Sequence, residues 1–501
     1  METRARLNPT LHQRHCWECM RRRIVCDFER PACSKCCAAG IACPGYDEKK
    51  PLKWLAPGKV SSRSRKRLIP PETNRSSTGS EEPVVSQETS PTSADNEIEL
   101  LELFMITPTR ELKSETCTIV ESVWYYNSHV YPDYSAIHEL APNPYLGHFP
   151  LEALHQVPMS MCHTLVYLAL AHRVYRVYPA DNRRPLTTLR PRLYERRGLA
   201  LRSLVELMGN LQNEMVIDAT IGSILLFLFV DARQLPSSDW QHHFAAATEL
   251  IKIRGGFASL SRSSEVLKPL ILHLLLLGVM GNTTTPPSQH IPTTSQLELI
   301  DLMADLYGDG MYPILLCPPY LLMDIIRINN LRFEATASPL TDSTRATAQA
   351  VLEHIEAFSA EDWKGSNPDV QEDWLLLGRM YRSSIALYCI SSLQSLSVFP
   401  STNYFTAMRT VHGTRLYTIL EQVILRPRIK VFAIWPLVVA GMQAVDASPT
   451  IRHIVDAQLS EMAGMLATPA PMLASAVFRR FWTSGQTGWD ECFDRPYAFV
   501  S

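Results

Sequence analysis

Six cysteines near the start of the 501-residue chain stand at Cys16, Cys19, Cys26, Cys33, Cys36 and Cys43, two copies of C-x2-C-x6-C separated by six residues. Each C-x2-C sets two sulfurs on one helical turn and the third returns after a loop, which is the spacing of metal ligands. Two tetrahedral zinc ions need eight ligand positions, and six thiolates fill them only if two sulfurs bridge both metals. One binuclear cluster holding two structural zinc ions per chain is therefore expected. A zinc ribbon or RING-type site fits worse, because each metal there takes four ligands of its own and the nearby His12 and His15 precede the first cysteine. Cys37 is surplus: using it in place of Cys36 gives C-x3-C and breaks the repeat, so it reads as a free thiol.

Between Cys19 and Cys26 lies Met20-Arg21-Arg22-Arg23-Ile24-Val25. Guanidinium groups at the end of a short helix suit guanine, whose O6 and N7 accept both donors of one arginine in the major groove. The expected partner is double-stranded DNA with a G-rich half-site, Arg21, Arg14 and Lys35 being assigned to phosphate. A solvated charge run is the competing reading. Residues 1–67 hold 16 Lys and Arg against 6 Asp and Glu, while the rest of the chain holds 32 against 44, so the basic end is the one to meet a polyanion. A second basic run, Arg63, Arg65, Lys66 and Arg67, is a candidate for nuclear import or further phosphate contact.

The six-cysteine spacing, Asp27 directly after the third cysteine and Pro31 between the halves make residues 12–46 resemble the fungal zinc cluster transcription factors. The resemblance implies that Cys16 and Cys33 are the bridging sulfurs and that Arg22 and Arg23 occupy the positions that read a CGG-type triplet. It further implies a nuclear, sequence-specific regulator of RNA polymerase II transcription whose partners include the transcription machinery or co-regulators. Met20 and Val25 depart from the family pattern, in which those positions are usually basic. They keep a second reading open: a zinc-stabilised factor that works inside a promoter complex without reading bases.

The elements around this module divide the chain into a cluster domain at 12–46, a basic segment and linker at 47–97, and a helical body at 98–501. Ile69–Glu97 is dominated by Ser, Thr, Pro and Glu and carries too little apolar surface to offset ordering entropy. From Ile98 onward apolar residues recur at helical spacing, so the fold is expected to be mainly all-α. The best-marked helices are Met161–Val177, Met215–Arg233, Trp240–Arg254, Leu297–Tyr307, Tyr320–Phe333, Trp374–Leu396 and Phe405–Leu425. Asn282–Ser295, NTTTPPSQHIPTTS, reads as a surface insertion. Asp95–Phe104 mixes acids with bulky apolar groups and reads either as an activation segment or as the opening of the body.

Parts of the body resemble the fungal-specific transcription factor domain: Trp240-Gln-His-His243 leading to Arg254-Gly-Gly256, Tyr381–Tyr388 on an amphipathic helix, Trp435-Pro-Leu437 with Gly441, and Phe481-Trp482 with Trp489–Phe493. The aromatics read as core anchors, Gly255-Gly256 as a helix stop, and His242 and His243 as ordinary helix residues without a third ligand. Ile98, Leu101 and Met105 are too few heptad positions before Pro108 for a long coiled coil, so a homodimer would form without one. No hydrolase elbow, phosphate loop, zincin pair or dinucleotide fingerprint occurs, and the chain is read as not an enzyme. Ile221–Val230 and Leu270–Met280 are too short to span a bilayer, so no membrane partner is expected. A polar, basic N-terminus and clustered cysteines lead to the expectation of a reducing compartment, the cytosol or nucleus, and the resemblance implies the nucleus.

Overall fold

A computed structural model describes residues 15–46, 114–140, 147–177, 183–211, 213–234, 240–291, 300–308, 315–363 and 368–499. The described residues are 78% helical and contain no strand, which makes the chain an all-α protein. It divides into two units, residues 1–89 and 90–501. The linker, the activation candidate Asp95–Phe104, the Ile98–Met105 heptad positions, Arg14 and the basic run Arg63–Arg67 lie outside the described residues.

The first unit contains two short helices, α1 (Trp17–Arg22) and α2 (Ser34–Ala38). Each begins on a cysteine: the Cys16 sulfur accepts the Cys19 N–H, and the Cys33 sulfur accepts the Cys36 N–H, both at 3.4 Å. Each also ends alike. Arg23 N–H reaches the Met20 carbonyl and Ile24 N–H the Cys19 carbonyl, as Gly40 reaches Cys37 and Ile41 reaches Cys36. The residue that turns the chain is left-handed in both halves, Arg23 at φ 57° and Gly40 at φ 65°. The sequence repeat is thus a structural repeat, and only the second half places glycine where a left-handed backbone favours it.

In the second unit the expected helices appear as Met159–Val177, Glu214–Gln234, Trp240–Ile253, Ile300–Gly308, Pro319–Ala337, Gln371–Ser395 and Asn403–Val423. Gly255 and Gly256, at φ 102° and 87°, stop Trp240–Ile253, with the Gly256 N–H returning to the Ile251 carbonyl at 2.8 Å. His243 packs edge-on to Phe227 beside Asp231. Gln371–Ser395 differs from the amphipathic expectation for Tyr381–Tyr388: every residue from Ser383 to Leu393 is buried, so this helix runs through the core. Glu214–Gln234 is long and apolar enough to cross a bilayer, yet Ile221, Ile224, Leu225 and Leu228 are spent on the main core.

The surface insertion expected at Asn282–Ser295 requires correction in its first part, because Asn282, Thr283, Thr284 and Thr285 are at most 1% exposed, whereas Ser288 and Gln289 are exposed and 292–295 lie outside the described residues. Their polarity is absorbed internally. Thr283 and Thr285 hydroxyls bond back to the Met280 and Gly281 carbonyls, and Thr284 Oγ1 donates to the Tyr497 carbonyl. Arg332, fully buried on Pro319–Ala337, takes the carbonyls of Asn282, Thr283 and Thr285 together with the Tyr388 hydroxyl, and pairs with Asp490. Trp435 Nε1 donates to Thr283 Oγ1 at 2.9 Å and Trp489 Nε1 to the Thr283 carbonyl at 2.8 Å. Three of the separate sequence signals, at Tyr388, Trp435 and Trp489, therefore meet at one polar knot inside the core.

Candidate metal centre and nucleic-acid interface

The six cysteines form two overlapping quartets, Cys16, Cys19, Cys26, Cys33 and Cys16, Cys33, Cys36, Cys43, with all sulfurs of a quartet within 4.8 Å of one another. Cys16 and Cys33, the residues that open the two helices, belong to both. The sulfur separations are 3.6 Å for Cys16–Cys33, 3.7 Å for Cys16–Cys36 and 3.6 Å for Cys19–Cys33. A tetrahedron with Zn–S bonds of about 2.3 Å has edges of about 3.8 Å, so the donor set fits two metals that share an edge. All described cysteines are free of disulfides. Burial pushes the Cys19 thiol up to about 12, with Cys16 and Cys33 alongside adding to it, so thiolates crowded this closely call for cations to hold them. Zinc supplies that charge and cross-links a module whose buried residues are the cysteines themselves.

Side chains outside the quartets set the loops. Asp27 Oδ2 accepts the Ser34 N–H at 3.0 Å and ties the end of the first half to the start of α2. Pro31, in the connecting loop, follows a cis peptide bond. Sequence reasoning missed two loop anchors. His15 Nδ1 accepts the Cys26 N–H at 2.9 Å, and the Tyr46 hydroxyl donates to the Glu29 carbonyl at 2.7 Å while lying 3.6 Å from the Cys26 sulfur. Neither carried a signal, since each acts through a backbone group far along the chain. Cys37 is exposed on α2 and belongs to neither quartet.

The three arginines are not equivalent. Arg21 Nε and Nη2 both donate to Glu18, at 2.9 and 2.6 Å, a pairing that the i,i+3 spacing could have revealed. Arg22 ends α1 and Arg23 follows it; both are exposed and neither pairs with a described residue. Lys35 is exposed on α2, separate in sequence from the arginine run. Met20 and Val25 are 48% and 76% exposed.

The fold and cysteine geometry agree with two family descriptions. Residues 14–53 match the fungal Zn(2)-Cys(6) binuclear cluster domain, and residues 123–472 match the fungal specific transcription factor domain. The chain belongs to the family of fungal Zn(2)-Cys(6) transcription factors: it is a DNA-binding transcription factor with two zinc ions, not an enzyme. Along its whole length, and over 91% of the relative's, it is 35% identical to the phomenoic acid biosynthesis cluster-specific transcriptional regulator of Leptosphaeria maculans. No solved structure matches it.

Proposed function

We propose that the chain reads CGG-type half-sites in the major groove through Arg22 and Arg23, in the nucleus, and thereby controls RNA polymerase II transcription of a biosynthetic gene cluster. The observation that carries the base-reading step is the difference among the three arginines. Arg21 is committed to Glu18, whereas Arg22 and Arg23, exposed at the end of α1, pair with no described residue. Lys35, Arg14 and the outer face of Arg21 are assigned to phosphate, and Arg63, Arg65, Lys66 and Arg67 to nuclear import. The gene-cluster role rests on the full-length similarity to a cluster-specific regulator. The domain division follows the same reading: a cluster module at 12–46, a connecting segment at 47–97 and a regulatory body at 98–501, which meets co-regulators and any second copy of the chain.

The test is fluorescence anisotropy of the full chain on duplexes with one CGG, two CGG triplets in varied orientation and spacing, or a scrambled site, at physiological salt. Chelator-sensitive preference for CGG is expected, and Arg22→Ala should cost roughly 1–3 kcal/mol on the preferred triplet only. Equal affinity for all duplexes would favour the promoter-complex factor that reads no bases, for which exposed Met20 and Val25 would be the contact surface.

A further inference from the structure

The Gln371–Ser395 and Asn403–Val423 helices border a cleft of about 390 Å³, whose lining includes Arg379, Arg382, Ser383, His412, Arg415 and Ile419. That volume is in the range that holds a small ligand. The charges along it are unevenly matched. Arg379 Nη2 lies 2.5 Å from Glu361 Oε1, and Arg382 Nη2 donates to the Glu356 carbonyl at 2.6 Å and to its Oε2 at 3.2 Å. Arg415 is exposed and pairs with no described residue.

Two further lining residues, His412 and Arg382, carry buried polar atoms. His412 is 2% exposed; its Nε2 lies 2.9 Å from Glu356 Oε1, while its Nδ1 is buried without a hydrogen-bond partner. Arg382 Nε is likewise buried without an acceptor. Buried polar atoms in native proteins are nearly always partnered. Both nitrogens are shut off from solvent, so the polar groups this cleft offers a ligand are guanidinium edges, and that of Arg415 pairs with no described residue. The apolar part of the lining comes from Ile419 and the arginine stems, which suit a short hydrocarbon body.

We propose that this cleft binds a small organic anion, its carboxylate or phosphate head group on Arg415 and Arg382 and its apolar body against Ile419, as an effector of the helical body. The site is independent of DNA reading, and its failure would leave that reading untouched.

The experiment is titration calorimetry of the full chain with benzoate, hexanoate and inorganic phosphate, with benzamide and hexanamide as neutral matches. Saturable binding of an anion but not of the amides is expected. Loss of one charge-assisted contact predicts binding about tenfold or more weaker in Arg415→Gln, a replacement that breaks no bond within the described fold. Arg345→Gln, exposed on the Asp342–Ala357 helix, should bind as the unmodified chain does. Carboxylates binding in preference to phosphate support a carboxylate effector, and the reverse order supports a phosphate one. Absence of saturable anion binding, equal binding of the amides, or undiminished affinity in Arg415→Gln would overturn the proposal.

Discussion

Cys36 and Cys37 are adjacent on α2, yet their sulfurs have different surroundings: one is fully buried in a quartet and the other faces solvent. Cys37→Ser should therefore retain two zinc ions per chain by elemental analysis, whereas Cys33→Ala, which removes a sulfur common to both quartets, should lose both metals and unfold the module. Retention of one ion by Cys33→Ala would show that the quartets are independent. This part of the site was readable in advance because metal coordination imposes its spacing directly on the sequence. Arg332 was not readable. Its partners lie 47 to 158 residues away, and no local pattern distinguishes it from a surface arginine. Arg332→Met should cost about 3–5 kcal/mol in urea unfolding, because it strands Asp490 and several carbonyls in the core.

Among the helices, Ile434–Gln443 shows how close approach is built in. A methyl group on Gly441 would overlap the Phe478 ring, and the Gly441 carbonyl accepts Trp482 Nε1 at 2.9 Å. Gly441→Ala should lower stability by about 1–3 kcal/mol, measured by chemical denaturation, as expected of overpacking. The seven helices expected from apolar periodicity are present with boundaries a few residues from expectation at most, while others such as Asp342–Ala357 and Pro449–Leu466 were not singled out. The errors share one cause. Periodicity reports one neighbour surface, whereas the stretch Ser383–Leu393 is covered all round, with Ser384 bonding its own helix at the Met380 carbonyl. The Thr283–Thr285 run likewise resembles a loop in composition, but the Thr283 and Thr285 hydroxyls are satisfied by the preceding turn and that of Thr284 by the distant Tyr497 carbonyl.

The helical body as a whole should respond to acid. His273 stacks on Phe229 with ring centroids 3.5 Å apart, and burial, helped by Arg233, pushes it from 6.5 down to about 3. Between those values the unfolded chain takes up a proton that the folded chain refuses. Stability is thus intact above about pH 6.5 and declines as pH falls toward 3. Melting temperatures of the full chain should drop between about pH 7.5 and 5.5, with a shallower slope in His273→Phe. An unchanged slope would assign the loss to other groups, among them His290, which burial also pushes down to about 3.

The knot at Arg332 also sets a timetable for synthesis. Asp490 follows Arg332 by 158 residues, and Trp489 follows its acceptor Thr283 by 206. At roughly 5–20 residues per second of translation, the guanidinium waits on the order of 8–30 s for its carboxylate. During that interval the nascent body cannot close over its own polar centre. Chaperone demand and vulnerability to proteolysis should therefore peak late in synthesis, and a chain cut just after Ser484 should lose the Asp490 and Trp489 contacts and be destabilised at the knot.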